Sequence, residues 1–425
     1  MFKKVELQNG VTLYIRKSDQ FKTVNFSVKW KTDLDEKKSA QRAVLSNVLQ
    51  DSNGRYRTQT AFRNTLDELY GAVLYTDVAK RGNTHIFSLY AECVNDEYLS
   101  EGGVLDEVLG LIQTTIFEPN LVDGQFDEAI VAREKRSVIE RIRSLYDDKT
   151  RYAQKRMLEL IRPNQAASAS SYGTEADVQA ITSAELFASY EDMLDKDEID
   201  LYIVGDIDAD VMIEKVKKMF TFKARPTRER QLGTQVPADQ TVAVQHVGEQ
   251  QDMKQGKLHL GFSTPITFKH PDYAKMQVTN GVFGGFAHSK LFMNVREKES
   301  MAYYASSAYA SHYGLIYVMA GIDADLEEKA VNLIKEQLVA LQQGDITALE
   351  LDQTKALLAN GIKSAFDSAR GQIEVFDQYK EQDEHFTAEK LIAGWQAVTK
   401  EDVQQMASEI TLEIVYLLSG KEAVK

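Results

Sequence analysis

Two side chains in the stretch 291–310, LFMNVREKESMAYYASSAYA, are suited to binding a peptide carbonyl: Arg296 and Tyr303. Apolar residues first recur at helical spacing, Glu299-Ser300 breaks that pattern, and the following small residues and tyrosines favour a strand. A residue at the end of a helix and one at the start of the next strand can point into the same space. Arginine supplies a rigid fork of donors and tyrosine a phenolic donor. The pair therefore suits the carbonyls of an extended peptide, or the oxyanion formed when such a carbonyl is attacked.

A structural interpretation of the same two residues is also open. Tyr303 would then be a packed aromatic, and Arg296 would pair with Glu297 or Glu299 on a solvated face. The nearby tyrosines allow both interpretations as well, because they could bind peptide side chains or fill a packed sheet. These tyrosines are Tyr304, Tyr309 and Tyr313.

Composition and charge exclude several classes of protein. With 425 residues, 43% hydrophobic and 27% charged, the chain has the composition of a soluble globular protein of two or more domains. The formal net charge of −14 argues against binding to nucleic acid or to an anionic membrane surface. No apolar run approaches a membrane span, and the first residues lack the apolar core of a signal peptide. Cys93 is the only cysteine, which excludes a disulfide framework, and we expect a cytoplasmic location.

The first half of the chain predicts a sheet interleaved with helices. A hairpin is expected around the turn Asn9-Gly10. Strict alternation of apolar and polar residues from Val24 to Trp30 indicates a strand with one buried face. The remaining elements are expected in this order: helices at 36–51 and 58–70, strands at 72–80 and 84–93, helical patterns at 96–117 and 123–161, and a strand at 201–204.

The same order of elements returns in the second half. The elements are strands near 258–262, 302–310, 314–322 and 412–418, and helical patterns near 271–282, 288–298, 326–342 and 347–378. The offset of roughly 210–235 residues is too long for a solenoid repeat. We therefore predict an α+β fold of two homologous domains, each an antiparallel-rich β-sheet with helices packed on one face.

The boundary between the two domains is predicted from a change in composition. The stretch 223–240, KARPTRERQLGTQVPADQ, holds two of the six prolines and little apolar content, which is typical of a linker. This gives an N-terminal domain at 1–222 and a C-terminal domain at 241–425.

The second half also carries the run G-G-F-A-H-S-K-L-F-M-N-V-R-E-K-E-S-M-A-Y-Y. With the duplicated layout, this run resembles the insulinase / mitochondrial processing peptidase (pitrilysin) family of zinc peptidases. Small-subunit members of that family show S-x-L-F-x-x-x-R-E-x-x-x-x-A-Y after a Gly-rich turn. The matching positions are Gly284, Gly285, Ser289, Leu291, Phe292, Arg296, Glu297, Ala302 and Tyr303.

This resemblance covers essentially the whole chain and implies the LuxS/MPP-like metallohydrolase fold. It also implies that Gly284, Gly285 and His288 of the Gly-rich turn contact a bound peptide. For His288, a surface turn without a ligand is the alternative. A phosphate cradle at this turn is disfavoured, because it lacks G-K-[ST] and does not follow a strand.

The zinc motif of the family is absent. Active members carry H-x-x-E-H on the first helix after the first core strand, with a further glutamate from a later helix as the third protein ligand. The resemblance aligns QRAVLSNVLQD with that helix, which places Ala43 and Asn47 at the histidine positions and Ser46 at the general base. Arg141 falls at the later ligand position. None of the four is a suitable zinc ligand. We therefore expect no metal and no cofactor in this chain.

The resemblance implies a catalytically silent subunit. Arg296 and Tyr303 would reach into the active site of a zinc-bearing paralogue, and the two chains would close around a peptide chamber. The substrate would add as a strand to a sheet edge. Similar non-zinc members occur in bacilli and lactobacilli beside a zinc-bearing paralogue. The roles assigned to some of them are peptide maturation and modification of elongation factor P. A peptide-binding or scaffold protein without a peptidase role is the alternative function. A homodimer is an expected assembly of the chain when it is alone.

Overall fold

A computed structural model describes residues 1–227 and 243–421, which form two compact units. Unit 1 comprises Met1–Arg143, the described part of Ala169–Arg230, and Phe366–Asp377. Unit 2 comprises Ser144–Ser168, the described residues up to Ala365, and those from Gln378 onward. The predicted linker lies mostly outside the described residues, from position 228 to 240.

The strands and helices are numbered in chain order. The strands are β1 Lys3–Gln8, β2 Val11–Lys17, β3 Thr23–Asp33, β4 Val73–Arg81, β5 Thr84–Val94, β6 Leu121–Val122, β7 Gln125–Phe126, β8 Glu198–Gly205, β9 Gln245–Gln251, β10 Gly256–Ser263, β11 Tyr304–Ala310, β12 Leu315–Ile322 and β13 Thr411–Gly420. The α-helices are α1 Glu36–Leu49, α2 Gln59–Glu68, α3 Val104–Phe117, α4 Glu128–Asp147, α5 Lys149–Ile161, α6 Glu175–Ala180, α7 Ser183–Lys196, α8 Ala209–Met219, α9 Tyr273–Asn280, α10 Glu327–Gln342, α11 Ala348–Phe366, α12 Ala369–Tyr379, α13 Ala388–Ala397 and α14 Lys400–Ser408. Two π-helical segments, Gly281–Gly285 and Leu291–Lys298, follow α9.

The two sheets share one topology. In unit 1 the strand order is β1-β2-β8-β3-β5-β4, and in unit 2 it is β11-β12-β10-β13-β9. Read from β4, the first order is β4-β5-β3-β8-β2, which matches the second strand for strand. Each sheet is antiparallel except for one parallel pair, β2–β8 in unit 1 and β13–β9 in unit 2. The predicted duplicated α+β fold is confirmed.

Each unit has its own apolar core between its sheet and its helices. In unit 1, α1, α3 and α7 supply buried residues such as Val44 and Leu109. In unit 2, the core contains three alternate residues of β10, which are Leu258, Leu260 and Phe262. The period-two pattern read from the sequence therefore selects the core face of this strand.

The units exchange one segment each along the chain. Helix α5 follows unit 1 in sequence but packs on β10 of unit 2, where a Cβ atom at Gly261 would lie 2.9 Å from both Met157 and Ile161. Conversely, the segment Phe366–Asp377 belongs to unit 1. The boundaries predicted for the homologous halves stay a prediction, but the compact units differ from contiguous halves by these two segments.

Two long helical patterns are each interrupted near a boundary between the compact units. The pattern predicted at 123–161 is two helices, α4 and α5, and Asp148 caps the second by accepting from the amides of Thr150 and Arg151. The pattern at 347–378 is also two helices, α11 and α12. Both stretches are largely helical, as predicted, and each is divided into two helices. No helix within the described residues is long and apolar enough to cross a membrane.

Candidate functional site

Arg296 lies in the last turn of the π-helical segment Leu291–Lys298. Its guanidinium carbon lies 4.5 Å from the centroid of the Phe292 ring, and its Nε lies 3.6 Å from a carboxylate oxygen of Glu297. The side chain keeps 39% of its surface exposed. Stacking on an aromatic ring holds the guanidinium in place while its donors stay accessible. π-Helical turns are rare and frequently occur at functional sites.

A tight turn connects Arg296 to Tyr303. Ser300 adopts the left-handed conformation with φ of +49°, and the Met301 amide donates to the Val295 carbonyl at 3.1 Å. The Tyr303 amide then donates to the Gly321 carbonyl at 2.8 Å, which starts the pairing with β12. The break predicted at Glu299-Ser300 therefore lies at this turn.

The phenol of Tyr303 faces solvent. The residue is 62% exposed, and its hydroxyl donates to Asp323 at 3.4 Å. The sequence left open that Tyr303 is a packed aromatic, and this exposure disagrees with that alternative. The ion pair with Glu297 agrees with the structural interpretation of Arg296. Both side chains nevertheless present donors at the surface beside one turn. Their role in binding a peptide stays a prediction.

Close packing accounts for the glycine at position 284 of the Gly-rich turn. A Cβ atom at Gly284 would lie 2.6–2.7 Å from Leu291 and from the amide and hydroxyl of Ser307, so only glycine fits between this segment and β11. Gly285 is exposed, and a Cβ atom there would lie 3.2 Å from the Asn280 carbonyl. Contact of either glycine with a peptide stays a prediction.

Helix α11 holds the other end of this turn. The Nε2 atom of His288 lies 2.8 Å from the Thr354 hydroxyl, and the buried Lys290 pairs with Glu350 at 3.0 Å. Burial lowers the pKa of His288, so this residue is neutral near pH 7. Burial opposes ionisation of Glu350, but the Thr347 amide and Lys290 outweigh it and lower the pKa of that carboxyl. These bonds fix the segment that leads to Arg296.

The positions aligned with the zinc motif lie in α1 and are buried. Ala43 is part of the apolar core. The Ser46 hydroxyl donates to the Thr76 hydroxyl at 3.3 Å, and Thr76 in turn donates to the Ser46 carbonyl. Asn47, one turn after Ala43, is also buried. Arg141 lies on α4, with its guanidinium 5.3 Å from the ring centroid of Tyr172.

These residues do not fit a zinc ion. A methyl group, a hydroxyl, an amide and a guanidinium offer no thiolate, imidazole or carboxylate ligand. Within residues 1–227 and 243–421, no group of three or more histidine, cysteine or acidic side chains is placed to hold a metal. Two histidines in the sheets are buried and neutral, because burial lowers the pKa of His85 to about 4 and of His259 to about 3.

A buried charge network in unit 1 was missed from the sequence. The Asp377 carboxylate accepts from Lys31 at 2.6 Å, from Lys29 and Arg81 at 3.0 Å, and from the Tyr202 hydroxyl at 2.6 Å. Lys29 is 1% exposed and Asp377 is fully buried. The prediction that β3 has one buried face is wrong, because the segment Phe366–Asp377 covers its polar face. The sequence feature that could have indicated this network is the presence of two lysines, Lys29 and Lys31, on the polar face of β3.

Comparisons with known proteins agree with this geometry. Residues 180–358 match the family described as peptidase M16 inactive domain. A Bacillus subtilis (strain 168) protein named probable inactive metalloprotease YmfF is 37% identical over 416 residues, covering 97% of this chain and 96% of that protein. A second protein of that strain, uncharacterized zinc protease YmxG, is 24% identical over 292 residues, 68% of this chain and 69% of its own length. The crystal structure of a conserved protein from Enterococcus faecalis V583 has a TM-score of 0.92 at 33% identity and covers 99% of both chains.

The fold, together with the absence of a metal-holding group among residues 1–227 and 243–421, is that of a peptidase-like protein. The relative that is 37% identical over nearly the whole chain then identifies the family. The chain belongs to the peptidase M16 family, as an inactive peptidase-like member. The family resemblance read from the sequence is confirmed.

Proposed function

We propose that this chain is the catalytically silent subunit of a two-chain zinc peptidase of the cytoplasm. It forms half of a closed peptide-binding chamber and presents Arg296 and Tyr303 to the active site of a zinc-bearing relative. The guanidinium holds the carbonyls of the substrate backbone, and the phenol donates to the oxyanion as it develops. Zinc, supplied by the partner, polarises the attacked carbonyl and activates water.

One observation carries this proposal. Two exposed donors lie on either side of the left-handed turn at Ser300, whereas the zinc-motif positions hold a buried alanine, serine and asparagine. A chain selected only for stability has little use for an exposed phenol held by a single long hydrogen bond. One Bacillus subtilis strain has both a relative named probable inactive metalloprotease and a relative named uncharacterized zinc protease, which supports a pair of this kind.

The sheets also offer edges to which a peptide can add. Strand β4 ends the sheet of unit 1, and β11, which directly follows Tyr303, ends the sheet of unit 2. An extended peptide that pairs with such an edge gains main-chain hydrogen bonds irrespective of its sequence, and side-chain pockets then give selectivity. Strand addition therefore supports a peptide as the bound molecule.

A scaffold or peptide-binding role without peptidase function is the second candidate. The contacts of Arg296 with Phe292 and Glu297, and of Tyr303 with Asp323, favour it because each gives the residue a structural use. Peptide maturation and modification of elongation factor P are settings that suit either candidate.

Co-purification from the native host, followed by a peptidase assay of the complex, tests the proposal. We expect a zinc-bearing relative to copurify, the complex to cleave peptides, and the isolated chain to contain no stoichiometric zinc. Arg296→Gln should lower kcat/KM of the complex. The matched control is Lys298→Gln, which removes an exposed cation from the same helical segment. Zinc-dependent cleavage by this chain alone, or equal effects of the two substitutions, would contradict the proposal.

A further inference from the structure

The guanidinium of one arginine of unit 1 stacks on two aromatic rings. Among the described residues, this arginine makes no ion pair with a carboxylate. The guanidinium carbon of Arg370, on α12, lies 4.5 Å from the ring centroid of Tyr90 and 5.5 Å from that of Tyr75. The two rings stack with centroids 5.2 Å apart. Arg370 is exposed, and no ion pair joins it to a carboxylate in the described part of the chain. We call these three residues the arginine platform. Stacking orients the guanidinium. The phenol oxygens of Tyr75 and Tyr90 take up part of its donor capacity, and the remaining N–H groups of this exposed side chain are open to a ligand.

Two carboxylates near the arginine platform have bonds of their own. Glu374 lies within electrostatic reach of Arg370 but accepts from Lys29 at 2.8 Å and from the Tyr90 hydroxyl at 2.9 Å. Asp77, two residues after Tyr75 on β4, accepts from the amide of Val78 at 2.9 Å. The charge of Arg370 is therefore not matched by a close ion pair, unlike the cations of the buried network.

The arginine platform borders a free sheet edge. Strand β4 pairs with β5 on one side and ends the sheet on the other. The amides of Thr76 and Val78 donate to the side chains of Gln50, at 3.4 Å, and Asp77, at 2.9 Å, rather than to β5. Alternate amides of an antiparallel strand point away from its partner, so these two lie on the free edge. Flexible side chains cap them, and an added strand can replace those caps.

We propose that the arginine platform selects the peptide that adds to β4, by binding an aspartate or glutamate side chain directly opposite Tyr75. This inference rests on the proposed function, since it takes a peptide strand as the ligand. Side chains directly opposite each other across two strands form the contacting pairs. Val73 lies two residues before Tyr75 on the same face and is exposed. The selected peptide therefore carries a carboxylate and, two residues away, an apolar side chain.

A pair of synthetic peptides tests this selectivity. The probes are fluorescein-labelled ten-residue peptides of serine, threonine and lysine with one valine, and with either glutamate or glutamine two residues from it. Fluorescence anisotropy measures their affinity for the full chain. We expect the glutamate peptide to bind about tenfold more tightly, as suits one charge-assisted hydrogen bond.

Substitutions then assign the selectivity to Arg370. Arg370→Gln should bring the two affinities within about twofold without weakening the glutamine peptide, because only the charged contact is removed. Arg370→Lys should keep part of the preference, since lysine is a point charge without the planar fork. Arg63→Gln, which removes an exposed arginine of α2 in the same unit, should leave the preference unchanged.

The outcomes separate this inference from the proposed function. Equal affinity for both peptides, or a preference that survives Arg370→Gln, overturns the selectivity of the arginine platform and leaves the role of Arg296 and Tyr303 standing. Absence of binding by every probe overturns the edge site at β4. Loss of the glutamate preference in Arg370→Gln alone, with unchanged circular dichroism, supports the inference.

Discussion

The Asp377→Asn substitution removes one negative charge from a buried site that holds three cations. Asp377 is fully buried, and its carboxylate accepts from Lys29, Lys31 and Arg81 at 2.6–3.0 Å. Asparagine keeps the shape of the side chain, but its NH2 group would face donors. Removal of one partner from a buried ion pair costs about 3–5 kcal/mol, and we expect a loss in that range for unit 1. This is a large part of the 5–15 kcal/mol that is typical of a domain.

The two tryptophans let each unit be followed by itself. Trp30 lies buried in β3 of unit 1, and Trp395 lies buried in α13 of unit 2. In a Trp395→Phe background, fluorescence during urea unfolding reports unit 1, and in a Trp30→Phe background it reports unit 2. With a denaturant dependence of about 2–3 kcal/mol per molar urea, Asp377→Asn should lower the midpoint of the Trp30 transition by about 1–2 M. Separate probes are needed because two units need not unfold in one step.

Asp367→Asn is the matched control, because Asp367 is an exposed aspartate of the same exchanged segment. We expect it to change the free energy of unfolding by about 0.5 kcal/mol or less. If Asp377→Asn changes the Trp30 transition as little as the control does, the network does not hold this segment on the sheet. If both transitions shift equally, the effect is not specific to unit 1.

Two further predictions concern unit 2 and the buried histidines. Burial lowers the pKa of His259 to about 3 and of His85 to about 4, so the unfolded chain binds protons near pH 6.5 that the folded chain does not. This contribution to stability is therefore complete well above pH 6.5 and is lost on acidification, by about 1.2 kcal/mol for each histidine between pH 6 and 5. His259→Leu should lower the slope of the Trp395 transition in that window and leave the contribution of His288, whose pKa is also lowered by burial. An unchanged slope would refute the assignment. Gly284→Ala should destabilise unit 2 by about 1–3 kcal/mol through overpacking against Ser307. Gly285→Ala, at an exposed position, should cost less, and equal losses in urea unfolding would contradict the packing argument.

Local patterns were enough to predict much of the fold. The alternation in β10 and the turn at Asn9-Gly10 are local features of the chain, and the repeated element order is read from a succession of such features. The structure agrees with each. The break at Ser300 was also visible, since no apolar periodicity crosses it. The family motif marked the position of Arg296 and Tyr303, although their function is still to be tested.

Features that depend on distant partners could not be predicted. The polar face of β3 was read as exposed, because nothing near Lys29 and Lys31 in sequence reveals a carboxylate more than 340 residues away. The division of two long helical patterns at Asp148 and near Ser368 was missed, since a good cap inside a charged helical stretch resembles a solvated face. The tight space at Gly284 follows from packing on β11 rather than from any local turn signal.

The turnover of the two-chain complex with Tyr303→Phe tests the central claim most directly. This change removes one hydroxyl from a residue that is 62% exposed, so the stability of the chain should not change. Tyr70→Phe, at another exposed tyrosine, is the control. We predict that kcat/KM of the complex falls by about fivefold to 150-fold, equivalent to about 1–3 kcal/mol of transition-state stabilisation from one oxyanion donor, while Tyr70→Phe has no effect. Unchanged turnover with Tyr303→Phe would show that the phenol does not act on the substrate.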